Sequence, residues 1–356
     1  MLSVKTTTAA ILVESGGPLV IDQIQLPQAL DAGQVLVEVI TSGICGAQIN
    51  EIDAVKGPDK FLPHLLGHEG FARVLEIGPG VTTVSPNDFV VMHWRPGSGI
   101  QSTPAVYQWQ GKRLNAGWVT TFNNHGVVSE NRVTKILPGA NDKNVLPLLG
   151  CALTTALGVL ENDAKVNFRD SILIFGSGGV GLALIIVAKI FGVNHIVVVD
   201  VSDEKLKYAT NLGASNTIKF TDKKETFSQL IKIYEEGGLL PSVAIDTTGN
   251  TDAIELCYEA SSSVGRVILV GVPKSDSRAK IYTLPLHFDK IIKGSHGGDS
   301  NPEIDIPILL DLIQKKVLNF EGYPTQNFSL RDINDGIMKL RSGTTAGRLV
   351  IDFQLN

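Results

Sequence analysis

The chain has 356 residues, 43% hydrophobic and 19% charged, with a formal net charge of −5. That composition is globular rather than disordered, the length accommodates two domains with sizeable cores, and the acidic balance without any Lys/Arg block argues against nucleic acid as a partner. Three cysteines cannot build a disulfide framework and suit a reducing, cytoplasmic setting.

The first residues, MLSVKTTTAAILVESGG, hold an apolar run of five, too short for the core of a signal peptide. No segment approaches the ~20 apolar residues needed to span a membrane, so no membrane partner is expected. Up to about residue 150 the pattern is β-rich. QVLVEVITSGI alternates in part, FARVLEIGPGVTTV reads as strand and turn, and NDFVVMHW as another strand. Gly57-Pro58, Pro79-Gly80 and Pro96-Gly97 punctuate these runs. From about residue 151 the texture changes. SILIFG, HIVVVD, VAIDTTG and RVILVG are short Ile/Val-rich runs, with helical stretches such as VGLALIIVAKIFG and SDEKLKYATNLG between some of them. Apolar runs without alternation predict strands buried on both faces, hence a parallel sheet covered by helices. After about residue 297 follow a helix in IPILLDLIQKK, another in LRDINDGIMKLRSG and a last strand in GRLVIDF.

ILIFGSGGVGLALI places Gly176, Gly178 and Gly181 directly after a strand and at the start of a helix. Gly176 permits the tight turn, Gly178 lets the backbone approach a pyrophosphate, and Gly181 lets helix and strand pack closely. The helix N-terminus offers N–H groups and a positive dipole end to phosphates. Gly176, Gly178, Gly179, Val180 and Gly181 are therefore the candidate phosphate contacts. Asp200 ends the next strand 19 residues after Gly181, where an acid binds ribose hydroxyls and repels a 2′-phosphate. NAD(H) is thus expected over NADP(H), with Lys205 within reach of the same ribose. The bland reading of this motif is a tight turn in a nucleotide-free domain.

Three further residues, far apart in sequence, are candidate metal ligands: Cys45 in SGICG, His68 in LLGHEGF and Cys151 in LLGCALTT. Two thiolates and one imidazole would give a zinc ion three ligands and an open fourth position. Glu69, beside His68, is placed to orient the site or enter the metal shell. Cys257, in AIELCYEA, lies on an apolar helical face and reads as core. Spacing alone also permits ordinary buried cysteines and a structural histidine.

SGICG, LLGHEGFARVLEIGPGVTTVSPNDFVV, LLGCALTTALGVL, GSGGVG with Asp200, and RSGTTAGRLVIDF occur in an order that resembles the zinc-containing medium-chain dehydrogenase/reductases, the alcohol dehydrogenase-like proteins. The resemblance covers nearly the whole chain. It implies an α/β architecture with a GroES-like β-rich catalytic domain (1–153 and 297–356) and a Rossmann doubly wound parallel-sheet domain (154–296). In this resemblance Cys45, His68 and Cys151 match the catalytic zinc ligands, the Cys₂His set for which alcohol dehydrogenase is itself the standard example. Thr155 matches a residue that packs on the nicotinamide, Arg348 a basic residue at the pyrophosphate, and Trp94 an aromatic wall of the substrate pocket. It also implies a homo-oligomer, dimer or tetramer, paired through the sheet edge after RVILVG.

Departures from the family carry equal information. The residues 92–124 lack the four cysteines of a structural zinc, so one catalytic zinc and no structural zinc is expected. Ala47 stands where the family places Ser or Thr, Gln48 where it places Asp, and Asn50 where it places His, which breaks the usual proton relay at both ends. His93 and His296 are candidate replacements. Asn50, Gln48 and the aromatics Tyr107, Trp109 and Trp118 suit a polyol- or sugar-like substrate, or alternatively the aromatics replace packing that a structural zinc provides. The expected activity is hydride transfer between nicotinamide and a small-molecule alcohol or carbonyl. The alternatives are a catalytically silent NAD- and zinc-binding structural or regulatory protein, and a zinc-independent double-bond reductase.

Overall fold

The computed structural model describes residues 2–137, 139, 143–237, 240–343 and 345–355; Thr344, within RSGTTAGRLVIDF, lies outside them. The longest strand, Gln34–Ile44, organises the β-rich part. It pairs antiparallel with Gly70–Ile77, with His125–Ser129 and, at its carboxyl end, with Arg348–Asp352. The last strand of the chain therefore completes a sheet begun by its first hundred residues. Phe89–Met92 and Val133–Ile136 extend that sheet on one side, Thr325–Phe328 on the other. A second, five-stranded sheet runs in the order His64–Leu65, Thr6–Leu12, Val20–Gln25, Tyr107–Trp109, Lys112–Leu114.

Between these segments in sequence lies a six-stranded, all-parallel sheet. Its strands, in spatial order, are Asn216–Lys219, His195–Asp200, Ser171–Phe175, Val243–Asp246, Arg266–Leu269 and Ile291–Gly294. This is the doubly wound order, with its switch point between Ser171–Phe175 and Val243–Asp246. Apolar residues without a polar face are what a two-sided burial demands. Ile172 and Ile174 enter one core, with Leu182 and Ala209 from the helices Gly179–Ala188 and Asp203–Leu212. Leu173 and Phe175 enter the opposite core with Leu230, Leu256 and Cys257. Cys257 is fully buried there.

Helix ends follow local chemistry. Ser202 caps Asp203–Leu212 through its hydroxyl, which accepts from Lys205 N at 3.4 Å, and Gly213 ends the helix at φ +113°. Two strands escape the sequence pattern: Asn216–Lys219, half exposed, and Ile291–Gly294, mostly exposed, are four-residue edges without an apolar run to announce them. Among the described residues no helix is long and apolar enough to cross a membrane.

The aromatics of the cysteine-free segment serve packing. Tyr107 is fully buried and its hydroxyl accepts from Val127 N at 2.7 Å; Trp109 Nε1 donates to Asp22 Oδ2 at 2.8 Å. The guanidinium of Arg132 lies 5.3 Å from the centroid of Trp118. His93 is also structural, contrary to its expected place in a proton relay. It is 1% exposed, Nδ1 donates to Arg95 O at 2.7 Å, and Nε2 accepts from Thr134 Oγ1 at 2.9 Å. Burial, the largest influence, depresses its pKa to about 4.

The unfolded imidazole titrates near 6.5, so the unfolded chain binds the extra proton first and stability falls as pH drops from about 6.5 through 4. That histidine should account for about 3 kcal/mol of the loss at pH 4. Chemical denaturation of His93→Gln at pH 7 and pH 4 should show a correspondingly smaller acid loss than the parent; equal losses would mean that His93 is not held neutral.

Candidate active site

Register brings the site together. Ser42 pairs with Gly70 across the Gln34–Ile44/Gly70–Ile77 ladder, so the residues following one strand adjoin those preceding the other. Cys45 and His68 meet at that end of the sheet. Cys45, with extended backbone at φ −98°, ψ 150°, is the N-cap of the helix Gly46–Ile52. Cys151 follows the 3₁₀ turn Leu146–Gly150 and opens the helix Ala152–Gly158, which packs against the parallel-sheet core. The ligand atoms of Cys45, His68 and Cys151 all lie within 4.8 Å of one another, both cysteines buried and the histidine half-buried. Both thiols are free of disulfides, and His68 Nε2 is a buried ring nitrogen with no hydrogen-bond partner. Two soft sulfurs and an orphaned imidazole nitrogen fit a zinc ion.

The electrostatics are uneven. A hydrogen bond from the Cys151 thiol draws Cys45 well below the ordinary thiol range against the opposing effect of burial, and the Arg348 charge adds to the pull. The same contact, with burial, holds Cys151 well above that range. Burial disfavours the imidazolium of His68, but the Cys45 sulfur outweighs it and the net shift is upward.

Glu69 stands outside the three-ligand group. It is fully buried, with Oε1 3.1 Å from Arg348 Nε and Oε2 accepting from Nη2 at 3.2 Å. Burial raises its pKa to about 7 although Arg348 opposes the rise. Space for this carboxylate comes from Gly43, where a Cβ would lie 2.1 Å from Oε1. Arg348 in turn reaches the glycine turn: its Cζ would be 3.2 Å from a Cβ at Gly179.

The turn itself follows the strand Ser171–Phe175. Gly176 has φ +92°, a conformation that favours glycine, and a Cβ on Gly181 would lie 1.9 Å from Gly176 O. A Cβ on Gly178 would meet nothing within 4 Å, so the backbone there borders open space. Gly178, at the N-cap of Gly179–Ala188, also forms a bridge with Gly347; Val180 lies in the first turn, half-buried. Asp200 is already engaged. Its Oδ2 accepts from Ser177 N at 2.7 Å and Ser177 Oγ at 3.0 Å, its Oδ1 from Ser202 N at 3.0 Å. Lys205 is half-buried in the first turn of the next helix.

On the helix Gly46–Ile52, Ala47 is exposed and Asn50, one turn on, half-buried. Gln48 turns inward. Its Nε2 lies 2.7 Å from His68 Nδ1, a contact that reading Gln48 as a lost acid did not reveal. The available signal was its position three residues after Cys45, on the same face of the helix. Trp94 is half-buried and edge-on to His296, centroids 5.0 Å apart. His296 is exposed, with Nδ1 accepting from Arg95 Nη1 at 3.1 Å. Thr155 is buried one turn after Cys151 on the same helix.

Residues 31–138 match the alcohol dehydrogenase GroES-like domain and residues 179–315 the zinc-binding dehydrogenase domain. An alcohol dehydrogenase class-3 of Cereibacter sphaeroides is 27% identical over 97% of this chain and 99% of its own length. An S-(hydroxymethyl)glutathione dehydrogenase of Escherichia coli is 28% identical over 94% of this chain and 96% of its own. The crystal structure of an alcohol dehydrogenase zinc-binding domain protein from Burkholderia ambifaria superposes with a TM-score of 0.87 at 25% identity, covering 98% of this chain and 99% of that one. With its β-rich and Rossmann sheets and its Cys–His–Cys cluster, the chain is an oxidoreductase that belongs to the zinc-containing medium-chain dehydrogenase/reductase family.

Proposed function

We propose that the protein interconverts a small-molecule alcohol and its carbonyl, holding one zinc ion at Cys45, His68 and Cys151 and NAD(H) at the glycine turn. The observation that carries this reading is the convergence of two soft sulfurs and one imidazole nitrogen within 4.8 Å, the nitrogen buried and without a hydrogen-bond partner. When bound, zinc supplies Lewis acidity at the substrate oxygen and the nicotinamide carries the hydride.

The chain's own residues do the rest. Gly176, Gly178, Gly179, Val180 and Gly181 present backbone to the pyrophosphate, and Arg348 adds its charge there while neutralising Glu69. Asp200 receives the adenosine ribose, its carboxylate oriented by Ser177 and Ser202, with Lys205 beside it. Thr155 faces the nicotinamide. Ala47 offers no hydroxyl to a substrate proton, and His93 has both ring nitrogens engaged. The routes left for the proton are water, a hydroxyl of the substrate, and His296, which is exposed beside Trp94; the second favours a polyol- or sugar-like molecule with Asn50 and Trp94 at the pocket wall. The lobe at Tyr107 and Trp109 is held by side-chain packing and hydrogen bonds, and with no cysteine in residues 92–124 we propose that it carries no structural zinc.

A homo-oligomer is the assembly we infer. Ile291–Gly294 is an open edge of the parallel sheet, and Tyr282, Leu284, Phe288 and Ile291 are exposed beside or within it. A second copy of the chain covers them. The competing reading, a silent zinc- and NAD-binding protein, draws on the missing relay groups at Ala47 and Asn50.

Elemental analysis should find about one zinc per chain, and Cys45→Ser should lose both the metal and NADH oxidation with aldehydes, ketones and keto-sugars. Stoichiometric zinc and NADH binding without turnover on that panel would favour the silent reading. NADH should bind at least about tenfold more tightly than NADPH, and Asp200→Asn should narrow that gap; equal affinities in the parent would exclude the assigned ribose contact. In light scattering, the double variant Phe288→Asp/Ile291→Lys should run as a smaller species than the parent.

A further inference from the structure

An imidazole that binds a metal does so through a lone pair, so its other ring nitrogen carries the hydrogen and donates it to an acceptor. At His68 that other nitrogen, Nδ1, meets Gln48. The orientation of this amide is fixed from two sides. Gly67 N–H can only donate, and it lies 2.6 Å from Oε1. The Glu51 carboxylate takes one amide hydrogen, Nε2 to Oε2 at 3.2 Å. The second hydrogen of Nε2 therefore points at His68 Nδ1, 2.7 Å away. Nδ1 accepts, and the ring hydrogen of neutral His68 resides on Nε2, the atom left for the cluster.

We propose that Gln48 is a positioning residue that holds His68 in the tautomer opposed to metal binding, so that the site takes its ion loosely and exchangeably. This rests on the reading that Cys45, His68 and Cys151 hold zinc. Loading moves the ring hydrogen from Nε2 to Nδ1 and requires an acceptor there. Gln48 supplies one only by turning its amide over, which sets Nε2 against the Gly67 N–H, donor facing donor in a buried place. Gln48 is itself 3% exposed, so water cannot readily relieve the conflict. A carboxylate serves both neighbours, one oxygen accepting from Gly67 N–H and the other from Nδ1–H, but that second oxygen would face the Glu51 carboxylate, so the test removes the Glu51 charge as well.

Competition of full-length protein with a chromophoric zinc chelator tests this. The double variant Gln48→Glu/Glu51→Gln should lower the zinc dissociation constant about 10- to 100-fold below that of Glu51→Gln alone, the usual range for partners of ligating histidines, and slow zinc release into excess chelator. Equal dissociation constants in the double variant and in Glu51→Gln, each binding one zinc, overturn the role of Gln48 and leave the metal reading standing. No saturable zinc binding by the parent at excess zinc overturns both. A second measurement needs no variant. In ¹⁵N-histidine-labelled parent, two-bond ¹⁵N–¹H spectra before zinc addition should show His68 hydrogenated at Nε2 and bare at Nδ1, reversing on addition. A ring already hydrogenated at Nδ1 before zinc is added, alone or together with Nε2, sinks the proposal.

Discussion

Arg348 and Glu69 form a buried ion pair on which the arrangement of the site depends. Sealing two charges from water costs several kcal/mol per ion unless geometry and further hydrogen bonds compensate. The compensation here is local: two nitrogen–oxygen contacts of 3.1 and 3.2 Å, and a third from Nη1 to Ile44 O at 3.4 Å. Arg348 begins the last strand, Glu69 follows a proposed ligand and Ile44 precedes another. The pair thus pins three chain segments to one point. It also sets charge: the arginine restrains a carboxylate that burial alone would neutralise more fully, and draws down the neighbouring Cys45.

What the sequence disclosed follows the range of the interaction concerned. The glycine turn was legible as a turn because it is local: strand, glycines, helix and the acid at the end of the next strand lie within thirty residues and each has a stereochemical reason. The buried strands were legible because two-sided burial leaves no polar face. Edge strands such as Asn216–Lys219 bury little and therefore carry little pattern. Cys45, His68 and Cys151 are separated by a strand register that spacing cannot encode; their residue types made them candidate ligands, and resemblance to a family strengthened the expectation that they meet.

Side-chain direction was the least legible property. His93 follows a strand, and whether its ring faced the cleft or the sheet depended on Thr134 and the Arg95 carbonyl, one of them 41 residues away. Gln48 is the converse case. As a departure from a family pattern it looked like a loss, yet its amide makes three contacts that a carboxylate would make differently. Gln is one methylene longer than the Asp of the family pattern, and its amide brings a donor as well as an acceptor to the space around His68. The aromatics of the cysteine-free segment show a related economy, because Tyr107 fills a core and Trp109 ties one strand to another, without needing a ligand to explain either.

The helix Ala152–Gly158 has a mechanical consequence. It begins beside Cys151, carries Thr155 one turn on, and ends where a Cβ on Gly158 would lie 2.3 Å from Gly298 O. One rigid rod therefore serves as a ruler between the proposed metal ligand and the residue assigned to the nicotinamide, four residues and about 6 Å of helical rise apart. The separation between the two chemical partners is built into covalent and helical geometry, and the tight glycine contact at its far end fixes the rod against the turn that leads back to the β-rich sheets. Breathing of the surrounding loops would move both partners together and leave their spacing intact.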